Sequence, residues 1–321
     1  MRSSLMLTVA AVSVLGGVGL QKSQRRFNPV VEVLAAGKPV FGLYAPANRR
    51  GGAPPPADAP PPKTPTELAR EAIGNTTADY LFDGSMEGDF DRGYAPFTEF
   101  MKGMADAGPL DKSPTPRLHH PLFVKTHEIA PDPALARERI GKQLNLGVSG
   151  IVFVGVESAE EVKTGLAAMR FKSKGGTRSD DVGGAAAYWG MSEKEYKEKA
   201  DVWPLNPEGE IFCILQIEDT RGVENLDDML KNVPGIGAIL IGEGDLSQEL
   251  GYPRQYEHKV VLEWMKRIVD TCKKHNVVVG HPHVESGNVE RIVKEGYRFL
   301  MMAPVQSYGH FTAAQKATGR T

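Results

Sequence analysis

Residues 211–250 read IFCILQIEDTRGVENLDDMLKNVPGIGAILIGEGDLSQEL. Two apolar runs, 211–217 and 238–241, each run into an acid-bearing turn. The first turn carries Glu218 and the second carries Gly242-Glu243-Gly244-Asp245. The runs are continuous in apolar residues instead of alternating, which is the pattern of parallel strands covered on both faces. An amphipathic stretch separates them, so the segment reads as strand, helix, strand.

The same alternation extends outward in both directions. Apolar runs stand at 39–45 (PVFGLYA), 80–85 (YLFDGS), 121–126 (PLFVKT) and 150–156 (GIVFVGV), and again at 276–282 (NVVVGHP) and 298–304 (RFLMMAP). Helix signals lie between them. Thr64 precedes TELAREAI with Glu67 three positions on, a capping box. PALARERIGKQLNLG ends in Gly147, a C′ glycine. SAEEVKTGLAAM starts at a Ser cap, and YEHKVVLEWMKRIVDTCKKHN and NVERIVKEG complete the set. Eight strands alternating with helices predict an α/β fold, a (β/α)8 TIM barrel over residues 28–315. A two-domain doubly wound sheet is the other option, but no glycine fingerprint supports it.

The composition is that of a globular protein: 321 residues, 41% hydrophobic, 24% charged and a net charge of −2. That balance gives no reason to expect nucleic acid or an anionic membrane as partner. The two cysteines, Cys213 and Cys272, offer no disulfide framework. Residues 1–21, MRSSLMLTVAAVSVLGGVGLQ, place a basic Arg2 before an uncharged stretch, the layout of a secretory signal peptide. The stretch is short for a stable span, so export to the periplasm or medium is expected, with a retained anchor as second choice. Two insertions interrupt the barrel pattern. Residues 48–65 are proline-rich and follow the first strand, on the side where strand-to-helix loops form the reaction face. Residues 171–206 begin glycine-rich and turn helical and charged.

Polar residues at the C-terminal ends of barrel strands face the reaction space. Here these are Asp83 and Ser85, Lys125 and His127, Gln216 and Glu218, Glu243 and Asp245, and His281 and His283. Residues two apart on a strand point the same way, so Gln216 and Glu218 project together, as do Glu243 and Asp245 if the strand continues that far. Two carboxylates and an amide oxygen make a hard-oxygen set for a divalent cation, Mg²⁺ or Mn²⁺ first, with Co²⁺ and Zn²⁺ next. The residues alone also admit a plainer reading, in which Glu218 and Asp245 cap the turn and helix that follow them. Among the histidines, His127, His281 and His283 are candidate proton carriers.

The stretch QIEDTRGVENLDDMLKNVPGIGAILIGEGDLSQELG resembles the HpcH/HpaI aldolase family, the 2-keto-3-deoxy acid aldolase group of the pyruvate-binding barrels. VFGLYA, LNLGVSGIVFVGVESAEEV and the GTR of the insertion extend the resemblance over about residues 28–310. It implies a (β/α)8 barrel with an extra C-terminal helix swapped between subunits, in a homo-oligomer, a trimer or hexamer. It implies a divalent metal on Glu218 and Asp245, Gln216 beside a pyruvate-like 2-oxo acid, and backbone amides from Gly242 to Asp245, including Gly244, on the substrate carboxylate. Arg178 matches a family arginine that closes near the site, often from a neighbouring subunit.

The chain also departs from the family pattern. The second strand of the family ends D-x-E-H. Here Asp83 matches, but Ser85 and Met86 stand in the places of the acid and the histidine. A thioether carries no proton at neutral pH. Lys125 replaces an arginine, keeping the charge and losing the fork of donors. The family's G-P-x-D reads GEGD, which places a further carboxylate near the expected metal. The expected function is a metal-dependent carbon–carbon lyase acting on a 2-oxo acid and an aldehyde through a pyruvate enolate. Lys125 would stabilise the enolate, with Asp83, His127 and His281 the remaining catalytic candidates. Decarboxylation or hydrolysis of an oxo acid on the same platform is a further option. The alternative from another class is an exported 2-oxo acid-binding protein that has lost turnover.

Overall fold

A computed structural model describes residues 25–47, 61–112, 114–302 and 309–320. The 1–21 segment and residues 48–60 of the first insertion lie outside the described residues. Eight parallel strands form the barrel: β1 (Val40–Tyr44), β2 (Tyr80–Asp83), β3 (Leu122–Lys125), β4 (Gly150–Phe153), β5 (Ile211–Ile217), β6 (Ala238–Ile241), β7 (Val278–Val284) and β8 (Phe299–Met302). Each pairs with its successor, and β8 pairs with β1, so the sheet closes. All eight apolar runs of the sequence are these strands.

Among the described residues twelve α-helices accompany them. They are α1 (Pro29–Ala35), α2 (Pro65–Gly74), α3 (Phe90–Ala107), α4 (Pro133–Leu144), α5 (Ala159–Met169) and α6 (Ala185–Tyr188). Then come α7 (Glu193–Lys199), α8 (Thr220–Asn232), α9 (Glu243–Glu249), α10 (Lys259–Lys274), α11 (Val289–Glu295) and α12 (Gly309–Thr318). Local chemistry sets their ends. The Thr64–Glu67 capping box is formed at α2, and the Ser158 hydroxyl accepts from the Glu161 N–H at α5. Gly147, three residues beyond α4, has φ +96° and returns its N–H to the Leu144 carbonyl.

Strand alternation splits the core into two compartments. Val40, Tyr80, Phe82, Phe123, Val152, Phe212, Ile214, Leu240, Phe299 and Met301 fill the barrel interior, and Val30, Val31 and Leu34 of α1 close it from below. The other parity, including Leu81, Val124, Ile151, Cys213, Ile239 and Val279, packs against the surrounding helices. The lowest interior layer is aromatic. Phe299 stacks on Tyr80 at 4.4 Å and lies 5.8 and 6.2 Å from Phe123 and Phe212. Glycine makes room for these rings. A Cβ on Gly42 would sit 2.1 Å from the Tyr80 ring, and one on Gly150 would sit 2.3 Å from Phe123.

The second insertion builds the N-terminal face of the barrel. Trp189 and Tyr196 are buried there, and Val202–Trp203 adds a short strand beside β5. At the other end of the chain, α12 packs on α11 of the same chain. Arg320 then pairs with Asp79 and lies over the Phe41 ring, tying the C-terminus to the start of the barrel.

The aromatic layer generates a stability prediction. Phe299→Ala leaves a cavity bordered by three rings and is expected to cost about 3–5 kcal/mol, read as a lower urea midpoint with little change in slope. A cost below about 1 kcal/mol would mean that the layer does not hold the barrel together.

Candidate active site

Interior parity continues upward into polar residues. Above Phe123 comes Lys125, above Ile214 come Gln216 and Glu218, and above Leu240 comes Gly242. Their side chains converge. The Gln216 amide donates to Glu218 Oε2, and Glu218 Oε1 accepts the Gly155 N–H at 2.7 Å. Gly155 has φ +56°, a left-handed turn that presents this N–H at the end of β4. Gly242 is required by contact: a Cβ there would lie 2.3 Å from the Glu218 Cβ and 3.2 Å from the Gln216 amide nitrogen.

Glu218 is the most perturbed carboxyl of this group. Burial is the largest influence and, with the nearby Asp245 charge, pushes it up to about 7 from an ordinary 4.5. The Gln216 amide, the Lys125 ammonium and the Gly155 N–H act in the opposite direction without prevailing. Glu218 and Asp245 line one cavity of about 760 Å³ together with Glu87, His127, Glu128 and Val154.

The donor set fits a divalent cation. Two carboxylates are brought near each other and an amide is held beside them; burial chiefly, and the Asp245 charge to a lesser degree, raise the proton affinity of Glu218, and a cation would relieve both. Among the described residues no group of three or more His, Cys, Asp or Glu side chains is arranged to hold a metal ion. Glu218 and Asp245 would therefore supply two ligands and leave the other positions to substrate and water, as Mg²⁺ sites commonly do.

Lys125 Nζ lies 2.6 Å from Glu87 Oε1, and the Glu87 carbonyl oxygen lies 3.1 Å from His127 Nδ1. A carbonyl only accepts, so in the neutral ring Nδ1 carries the proton and Nε2 keeps its lone pair. Met86 is fully buried in the helix layer, its sulfur 3.8 Å from the Gln143 amide nitrogen of α4. Glu87, the next residue, enters the cavity in its stead.

The structure brings together Lys125, His127, Gln216, Glu218 and Asp245, with Gly244 on the adjoining turn. A Cβ on Gly244 would meet open space. Three further candidates lie elsewhere. Asp83 shares the parity of Leu81 and so faces the helix layer, where its Oδ1 accepts the Ser85 N–H and hydroxyl and holds the turn after β2. His281 shares the parity of Val279 and lines a second cavity of about 630 Å³ with Glu243, His283, Arg254 and Arg291. Burial brings the His281 ring down to about 4. Arg178 is buried on the face opposite the cavity, between the rings of Phe171 and Tyr196, with Asn145 Oδ1 as its hydrogen-bond acceptor.

Glu243 and Asp245 do not project together. The strand ends at Ile241 and α9 begins at Glu243, so a helical period replaces the strand period and sends the two acids to opposite sides. Glu243 consequently lies in the second cavity and adds nothing to the first. Gly155, whose N–H holds Glu218, and the acids Glu128, Glu157 and Asp219 on the cavity wall are not among the residues expected from the sequence. A glycine directly after an apolar run was the signal for the first. Nothing marked the others as different from surface acids.

The fold and the site define a (β/α)8 barrel with an acid pair at the ends of its fifth and sixth strands. The sequence pattern of the HpcH/HpaI aldolase/citrate lyase family matches residues 130–304, and the chain belongs to that family. Similar characterised proteins include the hydroxypyruvate/pyruvate aldolase of Paraburkholderia phytofirmans, 26% identical over 51% of this chain and 61% of that protein. The 2-keto-3-deoxy-L-rhamnonate aldolase of Klebsiella pneumoniae is 28% identical over 51% of this chain and 58% of that protein. The matched region thus spans about six-tenths of the length of these relatives. The barrel is also that of an HpcH/HpaI aldolase/citrate lyase family protein from Burkholderia cenocepacia J2315. The TM-score is 0.65 at 19% identity, covering 86% of this chain and 92% of that one. An HpcH/HpaI aldolase from Desulfitobacterium hafniense DCB-2 gives 0.63 at 20% identity, covering 89% and 94%.

The raised Glu218 value sets a pH dependence for the metal-free protein. Between its unfolded value near 4.5 and its folded value near 7, the folded state holds the proton more tightly. This group's contribution to stability is therefore full below about pH 4.5 and is lost as pH rises through 7. In EDTA, Glu218→Gln is expected to be more stable than wild type at pH 8, with the gap narrowing toward pH 5 in urea titrations. A gap independent of pH would contradict the assignment.

Proposed function

We propose that the chain is a divalent-metal-dependent carbon–carbon lyase of the aldolase type, cleaving or forming a 2-oxo acid by way of a pyruvate enolate. The observation that carries this reading is the grouping of Glu218, Asp245 and His127 on one cavity, with Gln216 bonded to Glu218 and the Lys125 ammonium near it. The aldolase activities of the named relatives support it. A cation on Glu218 and Asp245, Mg²⁺ or Mn²⁺ in first place, would act as a Lewis acid toward the keto group.

The chain's own residues do the rest. Gln216 orients the substrate, its amide fixed against Glu218. Gly244 leaves space for the substrate carboxylate against the amides of the α9 turn. The Lys125 ammonium lies near Glu218 and stabilises negative charge developing on the keto oxygen. His127 presents the lone pair of Nε2 to the cavity and takes or returns the proton, the role that Met86 cannot fill. Among the described residues eight carboxylates line this cavity, and only Glu87 and Glu157 are paired there with cationic side chains, Lys125 and Arg221. Once the cation and Lys125 have offset the charge of the 2-oxo acid, the remaining acids disfavour a second anionic group, so the aldehyde partner is uncharged or cationic. A binding-only role has no observation in its favour.

The wider setting is also a proposal. Residues 1–21 direct export, with anchoring as the second reading, and the protein works as a trimer or hexamer in which α12 would pack on the neighbouring subunit's α11 in place of its own. Among the described residues no helix is long and apolar enough to cross a membrane.

Incubation of Mn²⁺-loaded protein with pyruvate in deuterated water tests the chemistry. Deuterium is expected in the methyl group by NMR. Glu218→Ala should abolish exchange, and His127→Asn should slow it on the order of 100-fold. Exchange that survives Glu218→Ala would overturn the proposal.

A further inference from the structure

The cluster of Glu243, His281 and His283 lies outside the cavity that holds Glu218 and Asp245. Glu243 is only 2% exposed, and a carboxylate so buried needs partners. Their chemistry fixes where the hydrogens sit. His281 Nδ1 lies 3.2 Å from the backbone nitrogen of His283, a group that only donates. That ring nitrogen therefore holds a lone pair, and the proton of the neutral ring is on Nε2, 3.7 Å from Glu243 Oε2. His283 Nδ1 lies 2.5 Å from Glu243 Oε1 and donates to it. Two N–H groups thus face one carboxylate. With hydrogens on both facing nitrogens, the cluster is a strut between α9 and β7 and no metal triad.

Position along α9 gives the strut a consequence. Glu243 is the first residue of the helix and Asp245 the third. Two steps of an α-helix turn a side chain by about 200°. Holding Glu243 outward against β7 therefore turns Asp245 inward, toward Glu218. The helix has only seven residues, too few to be stable by itself. The family pattern has a proline in place of Glu243, a residue that stiffens the turn through its own backbone. This chain has a buried carboxylate held from the next strand.

We propose that Glu243 and His283, backed by His281, form a clamp that fixes the rotation of α9 and thereby positions Asp245 for the cation. The clamp rests on the reading of Asp245 as a metal ligand. Glu243, His281 and His283 are positioning residues and touch no reacting atom.

Two substitutions at one position separate the donor from the bulk. His283→Asn keeps an N–H near the place of Nδ1, and His283→Leu keeps the volume without the donor. The first measurement is amide hydrogen exchange on the metal-free protein. His283→Leu is expected to speed exchange across residues 243–250 by about tenfold or more and to leave α8 unchanged. His283→Asn should restore protection. The second is Mn²⁺ affinity by titration calorimetry, expected to weaken about 10- to 100-fold in His283→Leu and to recover in His283→Asn. The KM for a 2-oxo acid should rise more than kcat falls.

Wild-type exchange at 243–250 in His283→Leu would overturn the clamp, as would equal impairment of the two variants or unchanged Mn²⁺ affinity in His283→Leu. Should the wild-type protein bind no Mn²⁺, the metal reading of the site fails, and the exchange comparison alone decides the clamp.

Discussion

A carboxylate taken out of water at the mouth of a barrel must bind a proton or face a cation, and Glu218 is placed under that constraint. Strand alternation puts it on the interior side of β5, above the Phe212 and Ile214 layers. Gln216 and the Gly155 N–H supply hydrogen bonds, yet burial and the Asp245 charge still leave it readily protonated. Its surroundings are built to that shape. Gly242 has no side chain because one would occupy the place of Glu218, and Gly155 turns left-handed to aim its N–H. An acid kept in this condition is poised for a divalent ion, which relieves the repulsion and leaves the carboxylate charged.

The barrel was legible in the sequence because parallel strands buried on both faces leave continuous apolar runs, and all eight were present. The capping box at Thr64 marked a helix start by a mechanism that acts within one turn, whereas Asn145 caps α4 and Gly147 lies one residue beyond the C′ position expected for it. Other parts were less visible. Helix α3 holds Gly93, Pro96 and Gly103, which blur its periodicity, and it runs over 18 residues all the same. Gly93 brings its backbone close to the Ser85 carbonyl, a tertiary contact that no local pattern announces.

The site was legible to the extent that parity was. Gln216, Glu218 and Lys125 follow interior residues at even spacing, and the structure brings them together. Asp83 and His281 follow Leu81 and Val279 and face the helix layer, and the same count made on the sequence would have shown it. Asp245 reaches the cavity for a different reason: the chain turns helical at Glu243, and the change of period brings the third residue of α9 back to the mouth. The fate of Arg178 was beyond sequence reasoning, since its burial depends on Phe171, Tyr196 and Asn145 meeting from three separate segments.

Met86 stands where the resemblance places a histidine, and an imidazole, that of His127, lines the cavity. His127 comes from the end of β3 instead of the end of β2, with its tautomer set by the carbonyl of Glu87. Glu87 also pairs with Lys125, so one residue holds both the Lys125 ammonium and the His127 ring.

The proposed chemistry requires Glu218 and Asp245 to share one ion. Anomalous diffraction from crystals soaked in Mn²⁺ and pyruvate tests this most directly. The expected result is a single strong peak about 2 Å from a carboxylate oxygen of each residue, with pyruvate in contact. A peak held by only one of the two acids, or located at the Glu243–His283 cluster instead, would contradict it.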